Sequence, residues 1–60
     1  MESVKRVVVA DTGAEFRRSL VRTLNDEPGL RVVGETGDGP ELLRMARELQ
    51  PDAVVTELVL

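Results

Sequence analysis

The chain has 60 residues, a formal net charge of −3, 42% hydrophobic and 32% charged residues, and neither cysteine nor histidine. This composition excludes collagen-like, disulfide-stabilised and low-complexity disordered chains, and it excludes catalysis by a cysteine thiol or a histidine base. It contains no run of roughly 18 apolar residues, no secretory leader and no basic stripe with aromatics. We therefore expect a cytoplasmic protein segment that contacts neither membrane nor nucleic acid directly.

The first third of the chain predicts a buried strand and then an amphipathic helix. Residues 4–10 are almost uninterrupted β-branched residues, which is typical of a parallel strand covered on both faces. From Ala14, apolar or small side chains recur at helical spacing. They are Phe16, Leu20, Thr23 and Leu24. Residues 25–29 end the helix, because Pro28 disfavours helical geometry before it and Gly29 permits a turn.

The middle of the chain predicts a second strand and a second helix. Residues 30–35 form a short strand that Gly34 weakens, which favours an edge position. In the loop of residues 36–40, Asp38 or Gly39 suits the helix N-cap and Pro40 suits the first helical position. The apolar face of this helix is formed by Leu42, Leu43, Ala46 and Leu49.

The last segment predicts a third strand, and the complete pattern predicts the fold class. Pro51 stops the second helix, and residues 53–60 (AVVTELVL) are apolar except for Thr56 and Glu57. The chain is thus one β-α-β-α-β unit with no linker or repeat. This alternation predicts an α/β fold, with parallel strands joined by right-handed crossovers in a doubly wound sheet.

Two carboxylates follow strands of this predicted sheet. Asp11 ends the first strand, and Glu57 lies in or near the end of the third. The carboxyl ends of parallel strands share one edge, where open α/β sheets bind their ligands. An oxygen-only pair there favours Mg²⁺ or another hard cation. The alternative is that Asp11 caps the first helix and Glu57 is a solvated loop residue.

Two further motifs have simple structural interpretations. Residues 34–39 (GETGDG) follow a strand and precede a helix, but their spacing matches neither the dinucleotide fingerprint nor a Walker loop. We therefore expect a tight turn with a helix cap. The arginines of the first helix, Arg17, Arg18 and Arg22, alternate with acidic residues, which predicts a solvated helix surface.

Taken in order, these motifs resemble a known family. A strand ending in Asp11-Thr12, a G-E-x-x-D-G turn, and Pro51-Asp52 before a hydrophobic run resemble the N-terminal half of a bacterial response-regulator receiver domain. The likeness is greatest to the branch with a LuxR-type helix-turn-helix output. It implies a flavodoxin-like fold with strand order 2-1-3 and one helix on each face. It also places a metal ligand at Asp11 and the phosphoacceptor position at Glu57.

Two departures from the family pattern affect this site. Thr12 stands where the family has a second acidic metal ligand, and Glu57 stands where it has the phosphoacceptor aspartate. The resemblance therefore implies weak Mg²⁺ binding at Asp11, with Glu57 as a second ligand, and no normal phosphorylation. Receiver domains are longer than this chain, so residues 1–60 are expected to be a truncated receiver domain without a second domain.

The expected function is two-component phosphorelay signalling, without enzymatic activity. The resemblance implies a histidine kinase or another receiver or output domain as partner. Self-association through the exposed third strand is also expected, because an open apolar edge is a template for pairing. Two alternatives remain at this point. One is a mononucleotide- or phosphate-binding half of a doubly wound enzyme that uses residues 34–39, and the other is an inactive structural fragment.

Overall fold

A computed structural model describes residues 3–57, which form a parallel three-stranded sheet and two helices. The strands are β1 (Lys5–Ala10), β2 (Leu30–Thr36) and β3 (Ala53–Thr56), and the helices are α1 (Ala14–Asn25) and α2 (Gly39–Leu49). The strand order is β2-β1-β3. The predicted β-α-β-α-β fold and its strand order are confirmed. Within the described range, neither helix has the length and apolar character needed to cross a membrane.

The central strand β1 forms the core. Val7, Val8, Val9 and Ala10 are its buried apolar residues, and Val8 and Val9 are 0% exposed. Successive strand residues point to opposite faces of a sheet. Both faces of β1 are therefore covered, as the β-branched run predicts. Both helices contact β1, and right-handed crossovers in the order β2-β1-β3 would place them on these opposite faces.

Strand pairing aligns the carboxyl ends of the three strands. Ala10 lies opposite Thr36 of β2 and opposite Thr56 of β3. On the β2 side the register shifts between Val7 and Val8, so that Val33 is an extra residue in the ladder. This irregularity leaves the strand ends level, and the residues that follow them share one edge.

Gly34 allows α2 to approach the sheet closely. A Cβ atom at this position would lie 3.1 Å from Leu49 Cδ1 and 3.3 Å from Met45 Sδ. Its pairing partner in β1 is Val8, which is fully buried. The prediction that this glycine lies in an edge strand is confirmed, and the structure adds its reason, which is helix packing.

The apolar stripes of both helices are narrower than predicted. Leu43 is 62% exposed, whereas Leu42, Met45 and Leu49 are half-buried. Leu43, predicted as part of the apolar face, is therefore not part of the surface that α2 buries against β1 and β2. Phe16, in the first turn of α1, is 53% exposed and is likewise outside the packed stripe.

The strand β3 pairs with β1 along its whole length, and Asp52 adds two hydrogen bonds just before the strand begins. Asp52 donates its backbone N–H to Arg6 O at 2.8 Å, and its Oδ2 accepts the Arg6 N–H at 2.8 Å. The strand contains Ala53–Thr56 and is shorter than the predicted residues 53–60, of which residues 58–60 lie outside the described part. Neither helix packs against β3, and all four of its residues are exposed.

The ends of α2 follow local chemistry. Asp38, one of the two residues predicted as the N-cap, is the N-cap of α2. Its Oδ2 accepts the Glu41 N–H at 2.9 Å. The helix begins at Gly39, so Pro40 is its second residue and not its first. At the other end, Gln50 has φ 46° and ψ 60°, a left-handed conformation. This conformation is unfavourable for a residue with a Cβ atom that also precedes a proline.

We predict that Gln50→Gly stabilises the chain. Glycine adopts left-handed geometry without a Cβ clash, so the free energy of unfolding should rise by about 0.5–1 kcal/mol. Urea denaturation followed by far-UV circular dichroism measures the change. Glu48→Gly, inside the helix, is the control and should lower the free energy of unfolding by about 1 kcal/mol. A loss of stability in Gln50→Gly would show that the Gln50 side chain contributes more to stability than relief of the left-handed backbone would.

Candidate functional site at the strand ends

The structure brings the backbones of Asp11 and Glu57 together. Asp11 donates its N–H to Thr36 O at 3.0 Å, and Glu57 donates its N–H to Ala10 O at 3.1 Å. The hydrogen-bond ladder thus continues one residue past each strand. Asp11 and Glu57 occupy neighbouring positions at the same sheet edge, as expected for residues that follow paired parallel strands.

The Asp11 carboxylate helps to form the turn between β1 and α1. The residue is 8% exposed, and its Oδ1 accepts the Gly13 N–H at 2.7 Å. This is the hydrogen bond of an Asx turn. The N-cap of α1 is Gly13, and no side chain caps the helix. The interpretation of Asp11 as the helix cap is therefore wrong, because its carboxylate binds the N–H of the cap residue itself.

Glu57 and Thr12 differ from Asp11 in their exposure. Both are exposed, and the described residues offer no hydrogen-bond partner to the Glu57 carboxylate or the Thr12 hydroxyl. The proposed roles of Asp11, Thr12 and Glu57 stay predictions at this stage.

Arg17 is the residue of this site that sequence reasoning missed. From α1 it donates through Nη1 to Asp11 O at 2.7 Å and through Nε to Glu35 Oε1 at 3.2 Å. Its side chain is only 19% exposed. The expectation of a solvated helix surface is wrong for Arg17. Its partner Glu35 lies 18 positions away on another element, so local charge spacing contained no signal for this ion pair.

Gly37 packs over the Arg17–Asp11 contact. A Cβ atom there would lie 2.9 Å from Arg17 Nη1 and 3.3 Å from Asp11 O. The glycine-rich residues 34–39 therefore serve packing, Gly34 against α2 and Gly37 against the guanidinium. Close packing thus accounts for glycine at positions 34 and 37, whereas nothing lies within 4 Å of a Cβ atom built at Gly39.

The N-terminus of α2 is also unsuited to an anion. The Asp38 carboxylate already accepts a backbone N–H there, and the adjoining open cavity of about 220 Å³ is lined by Asp38, Pro40, Glu41 and Arg44. A phosphate would meet two acidic side chains at the position where helix N–H groups normally attract it. This arrangement disfavours the alternative of a mononucleotide- or phosphate-binding half.

The donor set does not fit a resident Mg²⁺ ion. Across residues 3–57, no three histidine, cysteine, aspartate or glutamate side chains are grouped so as to hold a metal. Asp11 Oδ1 already accepts one hydrogen bond, and Thr12 offers a neutral hydroxyl. Carboxylate number governs the affinity of hard-cation sites. Weak Mg²⁺ binding by Asp11 and Glu57 is the most that these residues predict.

Sequence comparison places the chain among known signalling proteins, although no protein-family model matches it. It is 43% identical over 53 residues to "Response regulator GacA" of Pseudomonas viridiflava and 38% identical over 55 residues to "Transcriptional regulatory protein LiaR" of Bacillus subtilis. It is 41% identical over 54 residues to "Protein-glutamate methylesterase/protein-glutamine glutaminase 1" of Syntrophomonas wolfei. The chain is a relative of response-regulator receiver domains. The resemblance that its motifs predict is confirmed.

The likeness covers most of this chain and a small part of each relative. The matches include 88%, 92% and 90% of the chain, but only 25%, 26% and 15% of the three proteins respectively. Together with the observed strand order, they identify the described structure as half of a receiver fold. A match of this extent does not show that the chain has the activities of these full-length proteins.

We predict that Gly37→Ala destabilises this receiver half by displacing Arg17. The new methyl group should cost about 1–2 kcal/mol of unfolding free energy, since it displaces a charged hydrogen bond to Asp11 O. Gly29→Ala is the matched control, because nothing lies within 4 Å of a Cβ atom there. Urea denaturation of Gly37→Ala, Arg17→Ala and the double variant measures the coupling. Additive effects would show that the two residues act independently.

Proposed function

We propose that the chain is a receiver module of two-component phosphorelay signalling that acts in the cytoplasm without being phosphorylated in the normal way. The observation that supports this most strongly is its relatedness to response regulators over nearly its whole length. Asp11 and Glu57 lie at the strand ends where the resemblance places the phosphorylation site. The proposal concerns what these altered residues do in such a module.

Glu57 and Thr12 are the reason to expect no normal phosphorylation. Glu57 carries its carboxylate one methylene farther from the backbone than an aspartate would, so an attacking oxygen is displaced from the site. Its side chain is exposed at the end of the third strand. Thr12 supplies no negative charge for a metal. Glu57 would then imitate the charge of an acyl phosphate without accepting a phosphoryl group.

We expect this segment to act by binding and not by catalysis. The methylesterase named above is an enzyme, but this chain spans only 15% of its length. The chain contains no histidine and no cysteine, which are the usual bases and thiol nucleophiles. We therefore propose that any enzymatic activity of such proteins belongs to segments other than the one related to this chain.

The proposed partners are those of a response regulator. By relatedness, a histidine kinase or another receiver or output domain would bind this module. A LuxR-type helix-turn-helix output fits the name of the relative LiaR, a transcriptional regulatory protein. Contact with DNA would belong to that output, because the net charge of −3 is unfavourable for a nucleic-acid surface.

We predict that acetyl phosphate with Mg²⁺ does not phosphorylate the chain. The expected intact mass is unchanged, because Glu57 is misplaced for attack and Thr12 leaves the metal weakly bound. Glu57→Asp shortens the acceptor side chain to that of the family's aspartate. The double variant Thr12→Asp, Glu57→Asp also introduces the family's second acidic residue beside Asp11. A stoichiometric gain of one phosphoryl group on Glu57 of the unaltered chain, located by fragmentation, would contradict the proposal.

Self-association through β3 is the second interaction that we propose. The four residues of β3 are uncharged, exposed and not covered by either helix. An open strand of this composition can pair with another strand by backbone hydrogen bonds. A second copy of the chain offers the same strand, which makes the pairing self-complementary.

We predict that sedimentation velocity shows association that increases with chain concentration. Val54→Lys should shift association to higher concentrations, because a charge on an edge strand opposes pairing. Leu43→Lys is the matched control, since it introduces the same charge at an exposed residue of α2, away from β3. Equal sedimentation of all three chains as folded monomers would show that β3 is not the interface.

A further inference from the structure

We infer that Arg17 provides a built-in positive charge at the acidic strand end and thereby keeps the affinity of this site for divalent cations low. The inference rests on the proposed function, in which Asp11 and Glu57 correspond to the phosphorylation site of a receiver. Arg17 is in this view a specificity-determining residue. It acts on the site through Asp11 and does not itself bind a ligand.

The geometry fixes the guanidinium against the main chain of the residue whose carboxylate would bind a cation. Arg17 Nη1 lies 2.7 Å from the carbonyl oxygen of Asp11, the same residue whose Oδ1 binds Gly13 N–H. Asp11 is buried, and within residues 3–57 no other basic side chain forms a hydrogen bond or an ion pair with it. Arg17 is thus the described basic side chain in contact with this strand end, and it reaches the main chain of Asp11.

Three contacts prevent Arg17 from moving away. Glu35 accepts its Nε–H at 3.2 Å, Asp11 accepts its Nη1–H, and Gly37 lies directly over the guanidinium. A fully solvated arginine would be free to turn toward water when a cation approached. Arg17 would have to break both hydrogen bonds, and the loop at Gly37 covers its guanidinium.

The electrostatic consequence opposes metal binding. A divalent cation at Asp11 would be repelled by a positive charge held on the same residue, in surroundings less polar than bulk water. Glu35 offsets part of that repulsion, because its carboxylate forms an ion pair with Arg17. Neutralising Arg17 should therefore strengthen Mg²⁺ binding, whereas neutralising Glu35 should weaken it.

The test is a Mg²⁺ titration of the full chain at constant ionic strength, followed by the amide NMR signals of Asp11 and Gly13. Arg17→Gln removes the charge but retains an amide that can donate to Asp11 O. Its dissociation constant should be about fivefold lower than that of the unaltered chain. Arg18→Gln makes the same change in net charge at an exposed neighbouring position and should alter the constant less than about twofold. Arg17→Lys keeps the charge and should bind Mg²⁺ as weakly as the unaltered chain.

Several results would overturn the inference. Equal dissociation constants for Arg17→Gln and Arg18→Gln would show that Mg²⁺ affinity depends only on net charge. Tight Mg²⁺ binding by Arg17→Lys would show that it depends on hydrogen-bond geometry and not on the charge of Arg17. Absence of binding in every chain would remove the site itself. If Arg17→Gln fails to fold, Glu35→Gln tests the same charge balance. An unchanged Mg²⁺ dissociation constant in Glu35→Gln would contradict the inference. None of these results depends on the acetyl phosphate experiment, which tests the proposed function separately.

Discussion

Burial of β1 between two strands and two helices is the constraint on which the rest of the structure depends. Val8 and Val9 are fully buried on opposite faces, so each helix must cover one side of the same short strand. Hydrogen bonding of β1 to both neighbours then sets their register and brings all three strand ends to one level. The positions of Asp11 and Glu57 follow from this register. The candidate site is therefore a consequence of how the core is built.

Features that depend on local pattern were predictable, and features that depend on tertiary approach were not. The β-branched run specifies β1, and Asp38 specifies the start of α2, because each acts within a few residues. The alternation of elements then predicts parallel strands with right-handed crossovers, and the family resemblance implies their order. By contrast, the pairing of Arg17 with Glu35, and the reasons for glycine at positions 34 and 37, arise from contacts between separate elements. A one-dimensional pattern gives them no distinct signal, and the local charge pattern alone predicts a solvated Arg17.

The two acidic residues of the site differ in how firmly they are held. Asp11 continues the most buried strand, and hydrogen bonds fix its N–H, its carbonyl oxygen and one carboxylate oxygen. Glu57 continues β3, which neither helix covers, and its described contact is a single backbone hydrogen bond. A ligand site requires donors held close to their binding geometry. By this criterion Asp11 is better placed than Glu57 to act in a ligand site, and the metal-binding role of both residues stays a prediction.

Charge balance links these features to the departures from the family pattern. Three adjoining carboxylates at a strand end would repel one another and would need a bound cation to be stable. In this chain a hydroxyl at Thr12 removes one carboxylate, and Arg17 adds a fixed positive charge beside Asp11. Glu35 holds that charge in place, and Gly37 covers it. This strand end therefore has one acidic group fewer than the family pattern and a basic side chain against its main chain, so a receiver module built this way would depend less on a bound cation.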